Sequence, residues 1–339
     1  MISAETQARL TDWLARQVGA STVRLENVAA LGGGAISQNI AVDLAVEGGP
    51  LAGRHECVLR AASPAGVAAS LTKPQEFAVL RAAFAAGMAA PEPLFVCDDP
   101  AVFARPFYIM RRARGIGSGR LITKGEAPQP ELAHELGRQL ARLHAIQPGA
   151  PGLDFLAVPE APGLAAAQLY RQWLDPEASR DPVLAWGLRW LERNAPPPGE
   201  IVLCHRDYRT GNYLVENGRL TAILDWEFCG WSDPMEDVAW FCSRSWRFAH
   251  MDREAGGIAS RGDFYAAYEE ASGRRVDPRR IAFWETSAYL RWAAIAWSQG
   301  ERHISGVEPS LELALTGRML PEILGDMLLH LERLELGRR

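Results

Sequence analysis

The sequence predicts an α+β protein with two lobes of unequal size, an antiparallel-sheet N-lobe followed by a mainly helical C-lobe. At 339 residues the chain is too long for one ordinary small core. Strand-like segments bounded by turn residues fill much of the chain before residue 112, and apolar residues at helical spacing dominate after residue 130. We therefore expect the N-lobe to span residues 1–112 and the C-lobe to span residues 113–339.

The N-lobe elements follow from apolar spacing and turn residues. Apolar residues at helical spacing predict a first helix over residues 4–19, ended by Gly19. A glycine-rich turn at residues 47–50 joins the second and third strands as a hairpin. The predicted strands are 22–31, 36–46, 55–61, 93–97 and 103–111.

A further N-lobe helix is predicted over residues 72–87, with Pro74 near its start. Glu76, Leu80 and Phe84 recur every four residues and so share one face of this helix. A carboxylate on an otherwise apolar face needs a cationic partner. We expect that partner to be Arg60 of the third strand.

The C-lobe is predicted to be helical outside one central stretch. Its first helix carries His144 on an apolar stripe, so we expect this histidine to pack in the core. Residues 196–199 are Pro-Pro-Pro-Gly, a rigid break before the central stretch. Asp233 is expected to cap a helix that begins at Pro234, although Asp233 and Asp237 are also candidate ligands of a metal or substrate. The predicted helices are 131–146, 161–175, 181–194, 235–242, 262–271, 278–299 and 309–336.

The central stretch, residues 201–242, holds three groups that could carry out phosphoryl transfer. Asp207 and Asn212 are five residues apart in His-Arg-Asp-x4-Asn, the spacing of a kinase catalytic loop. Asp225 follows at the end of an apolar run. A tight turn at residues 216–218, between two short strands, would return this carboxylate to the loop.

The residue types suit this chemistry. A substrate hydroxyl is a poor nucleophile, and a carboxylate that accepts its proton contributes about two to four powers of ten; Asp207 fits this role. Mg²⁺ takes oxygen ligands, which Asn212 and Asp225 would supply. We expect the catalytic loop at residues 203–212 and the metal-binding strand end at residues 220–227. The structural alternative is that Asp207 supports a turn and Asn212 caps a local element.

Two N-lobe segments are candidates for nucleotide binding. The glycines of residues 31–39 would let backbone N–H groups approach phosphates closely, although a glycine-rich turn alone is more often only a hairpin. Residues 110–113 are expected to form the hinge between the lobes. The hinge backbone would be free to hydrogen-bond a nucleotide base.

Composition disfavours several classes of protein. The net charge of −5 gives no basic footprint for nucleic acid. No run of eighteen apolar residues indicates a membrane span, and an N-terminus with Glu5 and Asp12 does not resemble a signal peptide. Five scattered cysteines without a CxxC pair favour buried, reduced thiols. We therefore expect a cytoplasmic protein.

The positive charges are unusual because only Lys73 and Lys124 are lysines, and the other 34 are arginines. A codon bias of the source genome is the simplest explanation.

The motifs together resemble the aminoglycoside phosphotransferase and choline kinase family, small-molecule kinases with a bilobal protein-kinase-like fold. The resemblance spans nearly the whole chain. It is most specific at residues 205–212 (HRDYRTGN), 225–227 (DWE) and 232–237 (SDPMED). These forms are most similar to the kinase-like domains found free in bacteria and fused to some acyl-CoA dehydrogenases.

The resemblance implies a role for each motif. Asp207 would be the catalytic base, and Asn212 and Asp225 would bind Mg²⁺. ATP, or GTP, would lie between a five-stranded N-lobe and the helical C-lobe, and a small hydroxylated molecule would accept the phosphate. A homodimer is an open alternative to a monomer. The implied nucleotide-binding residues are Gly33, Gly34, Ser37, Asn39, Arg60, Glu76, Met110 and Arg112.

The chain departs from the family pattern at three points. Arg60 replaces the expected strand-three lysine, and this exchange is not conservative at a phosphate site. Arg206 stands where the family usually has glycine. The short interval from Asp225 to Asp233 leaves no room for a long activation loop, which disfavours a protein substrate.

Three functions are therefore considered. The leading one is an ATP-dependent kinase for a small hydroxylated molecule. A nucleotide-binding pseudokinase is favoured by Arg60, and a metal-dependent phosphohydrolase is a weaker alternative. The substrate stays open because the C-lobe offers both aromatic rings, which suit choline, and arginines, which suit an anionic or acyl-thioester substrate. These residues are Trp226, Trp231, Trp284, Trp292, Arg209, Arg244, Arg247 and Arg291.

Overall fold

The computed structural model describes residues 2–32, 37–63, 70–174, 180–248 and 250–337. It has the expected α+β, bilobal architecture, with a five-stranded antiparallel sheet in the first third and a mainly helical remainder. The strands are β1 Thr22–Ala30, β2 Ser37–Glu47, β3 Gly53–Ala62, β4 Pro93–Cys97 and β5 Phe107–Arg111. Their order in the sheet is β1-β2-β3-β5-β4.

The first helix, α1 (Ala4–Val18), covers one face of this sheet. Ser3 caps it by accepting the N–H of Thr6 at 3.2 Å, and Gly19 ends it in the left-handed conformation at a φ of 60°. Trp13 lies edge-on to Phe107 of β5, with ring centroids 5.5 Å apart. The apolar side chains between α1 and the sheet form one core, and those of the C-lobe form a second, separate core.

The fifth strand is shorter than the sequence predicted. Residues 103–106 are turn and bend, and β5 begins only at Phe107. The preceding residue, Pro106, has no N–H to donate to the ladder, which explains why pairing starts after it.

Helix α2 (Lys73–Ala85) forms where it was predicted and packs against β4 and β5, but its buried face differs from the expected one. Glu76 and Leu80 are fully buried, whereas Phe84 is 41% exposed. The buried stripe continues through Ala83 instead, because three and four residues are both close to one helical turn.

Both ends of α2 are tied to the C-lobe. Leu71, before the helix, donates its N–H to the carbonyl of Glu227 at 2.8 Å. Ala89, after the helix, donates its N–H to Gln139 Oε1 at 2.7 Å. The apolar side chains of α2 belong to the same core cluster as the C-lobe helices.

The C-lobe is mainly helical, with two small two-stranded sheets. One sheet pairs β6 (Val202–Cys204) with β9 (Gly230–Ser232), and the other pairs β7 (Tyr213–Glu216) with β8 (Arg219–Ile223). The helices are α3 Gly119–Ile122, α4 Pro130–Leu143, α5 Pro162–Trp173, α6 Pro182–Asn194, α7 Met235–Cys242, α8 Arg261–Ser272, α9 Pro278–Ile304, α10 Leu311–Arg318 and α11 Leu320–Glu335.

The single helix predicted over residues 309–336 is wrong, because it is divided at Met319. Pro321 lies in the first turn of α11. A proline removes one helical hydrogen bond and its ring clashes with the preceding turn, so the helix restarts at this point.

The five cysteines are buried and free, as expected. Within the described ranges, no helix combines the length and apolarity needed to cross a bilayer.

Candidate active site

The loop after β6 is braced from α7. The carboxylate of Asp237 accepts the backbone N–H groups of His205 and Arg206, each at 2.7 Å. His144 Nε2 lies 3.2 Å from the same carboxylate, and His144 Nδ1 lies 2.8 Å from the hydroxyl of Tyr268. Burial raises the pKa of Asp237, but the hydrogen bonds and charges of His144 and His205 together outweigh it and hold this pKa below its usual value. His144 is thus a core histidine, as predicted, and Asp237 braces the loop.

The neighbouring Asp233 caps α7, as expected. Its carboxylate accepts the N–H of Met235 at 2.8 Å and also pairs with Arg280. The helix begins at Met235, directly after Pro234, whose φ of −57° and ψ of −25° are already helical.

Asp207 is held by three donors. Trp240 Nε1 donates to its Oδ1 at 3.0 Å, and Asn212 Nδ2 donates to its Oδ2 at 2.5 Å. Arg209 Nε lies 3.1 Å from Oδ1. The residue is 7% exposed, so the carboxylate is nearly removed from bulk solvent and has a fixed orientation.

Asp225 is brought beside this loop by backbone hydrogen bonds of the preceding residue. Leu224 donates its N–H to the carbonyl of Asn212 at 2.8 Å, and the carbonyl of Leu224 lies 3.0 Å from His205 Nε2. Asp225 itself has a left-handed φ of 68°. Burial raises the pKa of Asp225, but the guanidinium of Arg60 lowers it below the usual value.

Arg60 and Glu76 form the ion pair expected from the sequence. Arg60 Nε lies 2.8 Å from Glu76 Oε1, although the angle does not meet hydrogen-bond geometry. Arg60 NH2 also pairs with Asp225 and lies 3.2 Å from Glu227 Oε2. A single guanidinium therefore contacts three carboxylates. Burial lowers the pKa of Arg60, but the charge of Glu76, together with those of Asp225 and Glu227, raises it above its usual value.

A second buried cation, Lys73, completes this cluster. Its ammonium contacts Glu76, donates to Ser37 Oγ at 2.7 Å and lies 3.6 Å from Glu227 Oε2. Ser37 in turn donates to Glu227 Oε2 at 3.0 Å. Burial raises the pKa of Glu227 to about 7, and the charge of Asp225 adds to this effect.

The donor set fits a magnesium ion. Carboxylate oxygens of Glu76, Asp225 and Glu227 lie within 4.8 Å of one another, and hard oxygen ligands suit Mg²⁺. Asn212 uses its amide nitrogen toward Asp207, which leaves its amide oxygen for a ligand.

The remaining predicted nucleotide residues have mixed outcomes. Gly33 and Gly34 lie outside the described residues. Asn39 pairs with Arg60 across β2 and β3. Met110 lies within β5, and Arg112 donates its N–H to the carbonyl of Glu56 at 3.0 Å. The expectation of a free hinge backbone is therefore wrong for the Arg112 amide, because β3 extends far enough to accept it.

Sequence reasoning missed three residues of this site. Lys73 lies three residues before Glu76 on a predicted helix, a spacing that places two side chains on one face. Glu227 lies two residues after Asp225 and could have been noted for that reason. Trp240 reaches Asp207 only through the packing of α7, which no local pattern indicates.

The bilobal fold and the Asp-x4-Asn loop define a kinase-like class of protein. The chain belongs to the phosphotransferase enzyme family, whose profile matches residues 27–284. Acyl-CoA dehydrogenase family member 11 of Gallus gallus is 31% identical over 174 residues, which are 49% of this chain and 22% of that protein. Family member 10 of Mus musculus is 28% identical over 260 residues, which are 72% of this chain and 24% of that protein. The match spans less than a third of either relative's length. The expected likeness to the kinase-like domains fused to acyl-CoA dehydrogenases is confirmed.

Solved structures share the fold at low sequence identity. A Ralstonia eutropha protein classed as an aminoglycoside phosphotransferase has a TM-score of 0.73 at 22% identity, covering 96% of this chain and 98% of that one. A choline/ethanolamine kinase family protein of Mesorhizobium loti has a TM-score of 0.61 at 19% identity, covering 100% and 97%. Aminoglycoside phosphotransferase APH(4)-Ia, in complex with AMP-PNP and hygromycin B, has a TM-score of 0.57 at 18% identity, covering 95% and 98%.

Proposed function

We propose that this chain is an ATP-dependent phosphotransferase that transfers the γ-phosphate to a hydroxyl group of a small molecule, with GTP as the alternative donor. The observation that carries the proposal is the convergence of three groups. Asp207 and Asn212 are hydrogen-bonded to each other, and Asp225 follows the residue that donates its N–H to Asn212. This arrangement supports Asp207 as a proton acceptor beside Asn212 and Asp225, whose oxygens could bind a metal.

Asp207 is proposed to accept the proton of the substrate hydroxyl. Trp240 and Asn212 each donate to one of its two oxygens, which keeps the carboxylate in one orientation before substrate arrives. A base fixed in this way loses little conformational freedom in the transition state.

Asn212 and Asp225 are the proposed ligands of Mg²⁺. Bound Mg²⁺ offsets the charge of the phosphates, and catalysis in this reaction class is mostly positioning and electrostatic stabilisation. Arg60 holds Asp225 in place through their ion pair. Gly33, Gly34, Ser37, Asn39 and Met110 stay predicted nucleotide contacts.

The acceptor is proposed to be a small hydroxylated molecule without multiple positive charges. Arg209 stacks on Trp246 with 4.5 Å between its guanidinium carbon and the ring centroid. Arg291 lies at the same 4.5 Å distance from the ring of Trp240. Arg209, whose Nε lies 3.1 Å from Asp207 Oδ1, would repel a polycation such as an aminoglycoside at this position. Cytoplasmic location and a homodimeric state stay predictions from the sequence.

A nucleotide-binding pseudokinase is the second candidate, and one observation favours it. Arg60 pairs with Asp225, so the guanidinium competes with a metal for the same carboxylate. This candidate predicts binding of ATP–Mg²⁺ in a calorimetric titration and no ATP consumption across a panel of hydroxylated metabolites. A metal-dependent phosphohydrolase would instead release phosphate from simple esters without nucleotide.

The first test is the substitution Asp207→Asn. We expect turnover to fall by roughly two to four orders of magnitude because the proton acceptor is lost, while the affinity for ATP–Mg²⁺ changes little. Initial rates of ATP consumption and calorimetric titration measure the two quantities separately.

Asp12→Asn, on the exposed face of α1, is the matched control and should keep wild-type turnover. Wild-type turnover in the Asp207→Asn variant would remove this residue from the role of base.

A further inference from the structure

We infer that Lys73, at the start of α2, binds the nucleotide phosphates in this chain, and that Arg60 serves instead to hold the site's carboxylates. This inference rests on the proposed function, since it assigns a residue within the same nucleotide site. It also accounts for a phosphotransferase that has arginine where a strand lysine is expected.

Arg60 is already engaged on every side of its guanidinium. Its Nε lies 2.8 Å from Glu76, and its NH2 pairs with both Asp225 and Glu227. Its NH1 donates to Asn39 Oδ1 at 3.4 Å. A planar fork with fixed donor directions matches carboxylates well. Releasing it toward a phosphate would leave buried carboxylates without a partner, which is costly.

Lys73 lies where the glycine-rich turn meets β2. Its ammonium donates to the hydroxyl of Ser37, the first described residue after that turn. An ammonium has three donors. Among the described residues, two of them are used, toward Ser37 and Glu76, and the next carboxylate oxygen is 3.6 Å away on Glu227. One donor therefore remains for a ligand.

The charges of the cluster also require an explanation for this second cation. Glu76, Asp225 and Glu227 share the single positive charge of Arg60, so a second cation balances the cluster, and an arginine could supply that charge as well as a lysine. Lys73 is 4% exposed, and its ammonium contacts Glu76 and Ser37 without a third hydrogen bond among the described residues. In a chain with 34 arginines and two lysines, a lysine occupies this position. A compact point charge binds phosphate without needing a planar partner.

The test is Lys73→Met, compared with wild type by calorimetric titration with ATP–Mg²⁺ and with adenosine. We expect the affinity for ATP to fall by about tenfold to a hundredfold, the range for losing one charged hydrogen bond. The affinity for adenosine should stay the same, because adenosine has no phosphates. A purely structural role for Lys73 would change both affinities together.

Two further variants guard against a folding defect. Lys73→Gln keeps a donor toward Ser37 and Glu76 without the charge, and should show the same selective loss of ATP affinity. Lys124→Met replaces the other lysine, which is exposed, and should bind ATP as wild type does.

The outcomes separate this inference from the proposed function. If wild type binds ATP and both Lys73 variants bind it within about twofold of wild type, the inference is wrong and the proposed function stands. Equal losses for ATP and adenosine also overturn the inference. If wild type itself does not bind ATP or GTP, the proposed function fails, and the inference fails with it.

Discussion

Two residues of the site adopt a backbone conformation that glycine favours. Arg206 has a φ of 61° and Asp225 a φ of 68°. Such non-glycine residues cost of order 1 kcal/mol or more and persist only where the surroundings impose them. Arg206 is held by Asp237, which accepts its N–H, and by Trp231, whose carbonyl accepts a bond from its guanidinium at 3.1 Å. The family's usual glycine at this position is therefore explained by the local φ, and the arginine compensates with contacts of its side chain.

Trp240 is the residue we expect to position the base. The substitution Trp240→Phe removes the indole N–H that donates to Asp207 while keeping a ring in the aromatic cluster. We expect kcat to fall by about tenfold, the value of one hydrogen bond to a charged group. The KM for nucleotide should not change, because the lost N–H donates to the carboxylate of Asp207.

Trp292→Phe is the matched control. The Nε1 of Trp292 has no hydrogen-bond partner among the described residues, so its loss should not affect kcat. Equal kinetics for the two variants would show that the indole of Trp240 does not position Asp207.

At the scale of elements, the close packing of α4 on α8 supports the catalytic loop. A Cβ on Gly137 of α4 would lie 2.8 Å from the carbonyl oxygen of Phe264 in α8. Helix α8 also contributes Tyr268, whose hydroxyl hydrogen-bonds His144. His144 in turn contacts the carboxylate of Asp237. We expect Gly137→Ala to lower the free energy of unfolding by about 1 to 2 kcal/mol, because the two helices must separate. Urea unfolding measures this change.

For Gly325→Ala in α11 we expect the opposite change in the free energy of unfolding. A Cβ at Gly325 has no neighbour within 4 Å among the described residues. Alanine should therefore raise the free energy of unfolding by up to about 1 kcal/mol through its greater helix propensity. Destabilisation by both substitutions to the same extent would exclude close packing as the cause at Gly137.

At the scale of the whole molecule, His330 links stability to pH. Burial lowers the pKa of His330 from 6.5 to about 4, and its Nε2 lies 3.1 Å from the hydroxyl of Thr286. Between these two values the unfolded chain binds a proton that the folded chain does not. Stability from the neutral imidazole is thus complete above pH 6.5 and is lost as the pH falls toward 4.

We expect His330 to lower the free energy of unfolding by a share of about 1 to 2 kcal/mol between pH 7.5 and pH 5, while the raised pKa of Glu227 acts in the opposite direction over this range. In His330→Gln that share should disappear, whereas His134→Gln, at the surface of α4, should keep it. Denaturant unfolding at the two pH values measures the difference. An unchanged pH dependence in His330→Gln would contradict the assignment.

The fold was largely predictable from sequence because its elements depend on local patterns. The helical spacing around Trp13 and the glycine turn at residues 47–50 needed no knowledge of tertiary structure. The errors arose where one residue overrides a pattern, as Pro106 and Pro321 do by lacking an N–H. Phe84 was misplaced because a helical stripe can continue at either three or four residues.

The candidate site was predictable only in part. The spacing of Asp207, Asn212 and Asp225 lies within one stretch of chain. Lys73 and Trp240 come from α2 and α7, and their side chains reach the site only through packing between distant segments. The balance of charges among Arg60, Lys73 and their buried carboxylates likewise cannot be read from any local stretch of sequence.

The tethering of α2 at Leu71 and Ala89 has a consequence for how the cleft opens. Both ends of this helix are bonded to Glu227 and Gln139 across the interlobe boundary, but the helix also packs on β4 and β5. A swing of the sheet would therefore have to break one of these two sets of contacts. Arg60 would travel with the strands and part from Asp225 and Glu227 of the larger lobe. Opening would then free the carboxylate that we propose as a metal ligand, so that a swing admitting nucleotide would also release the proposed ion site.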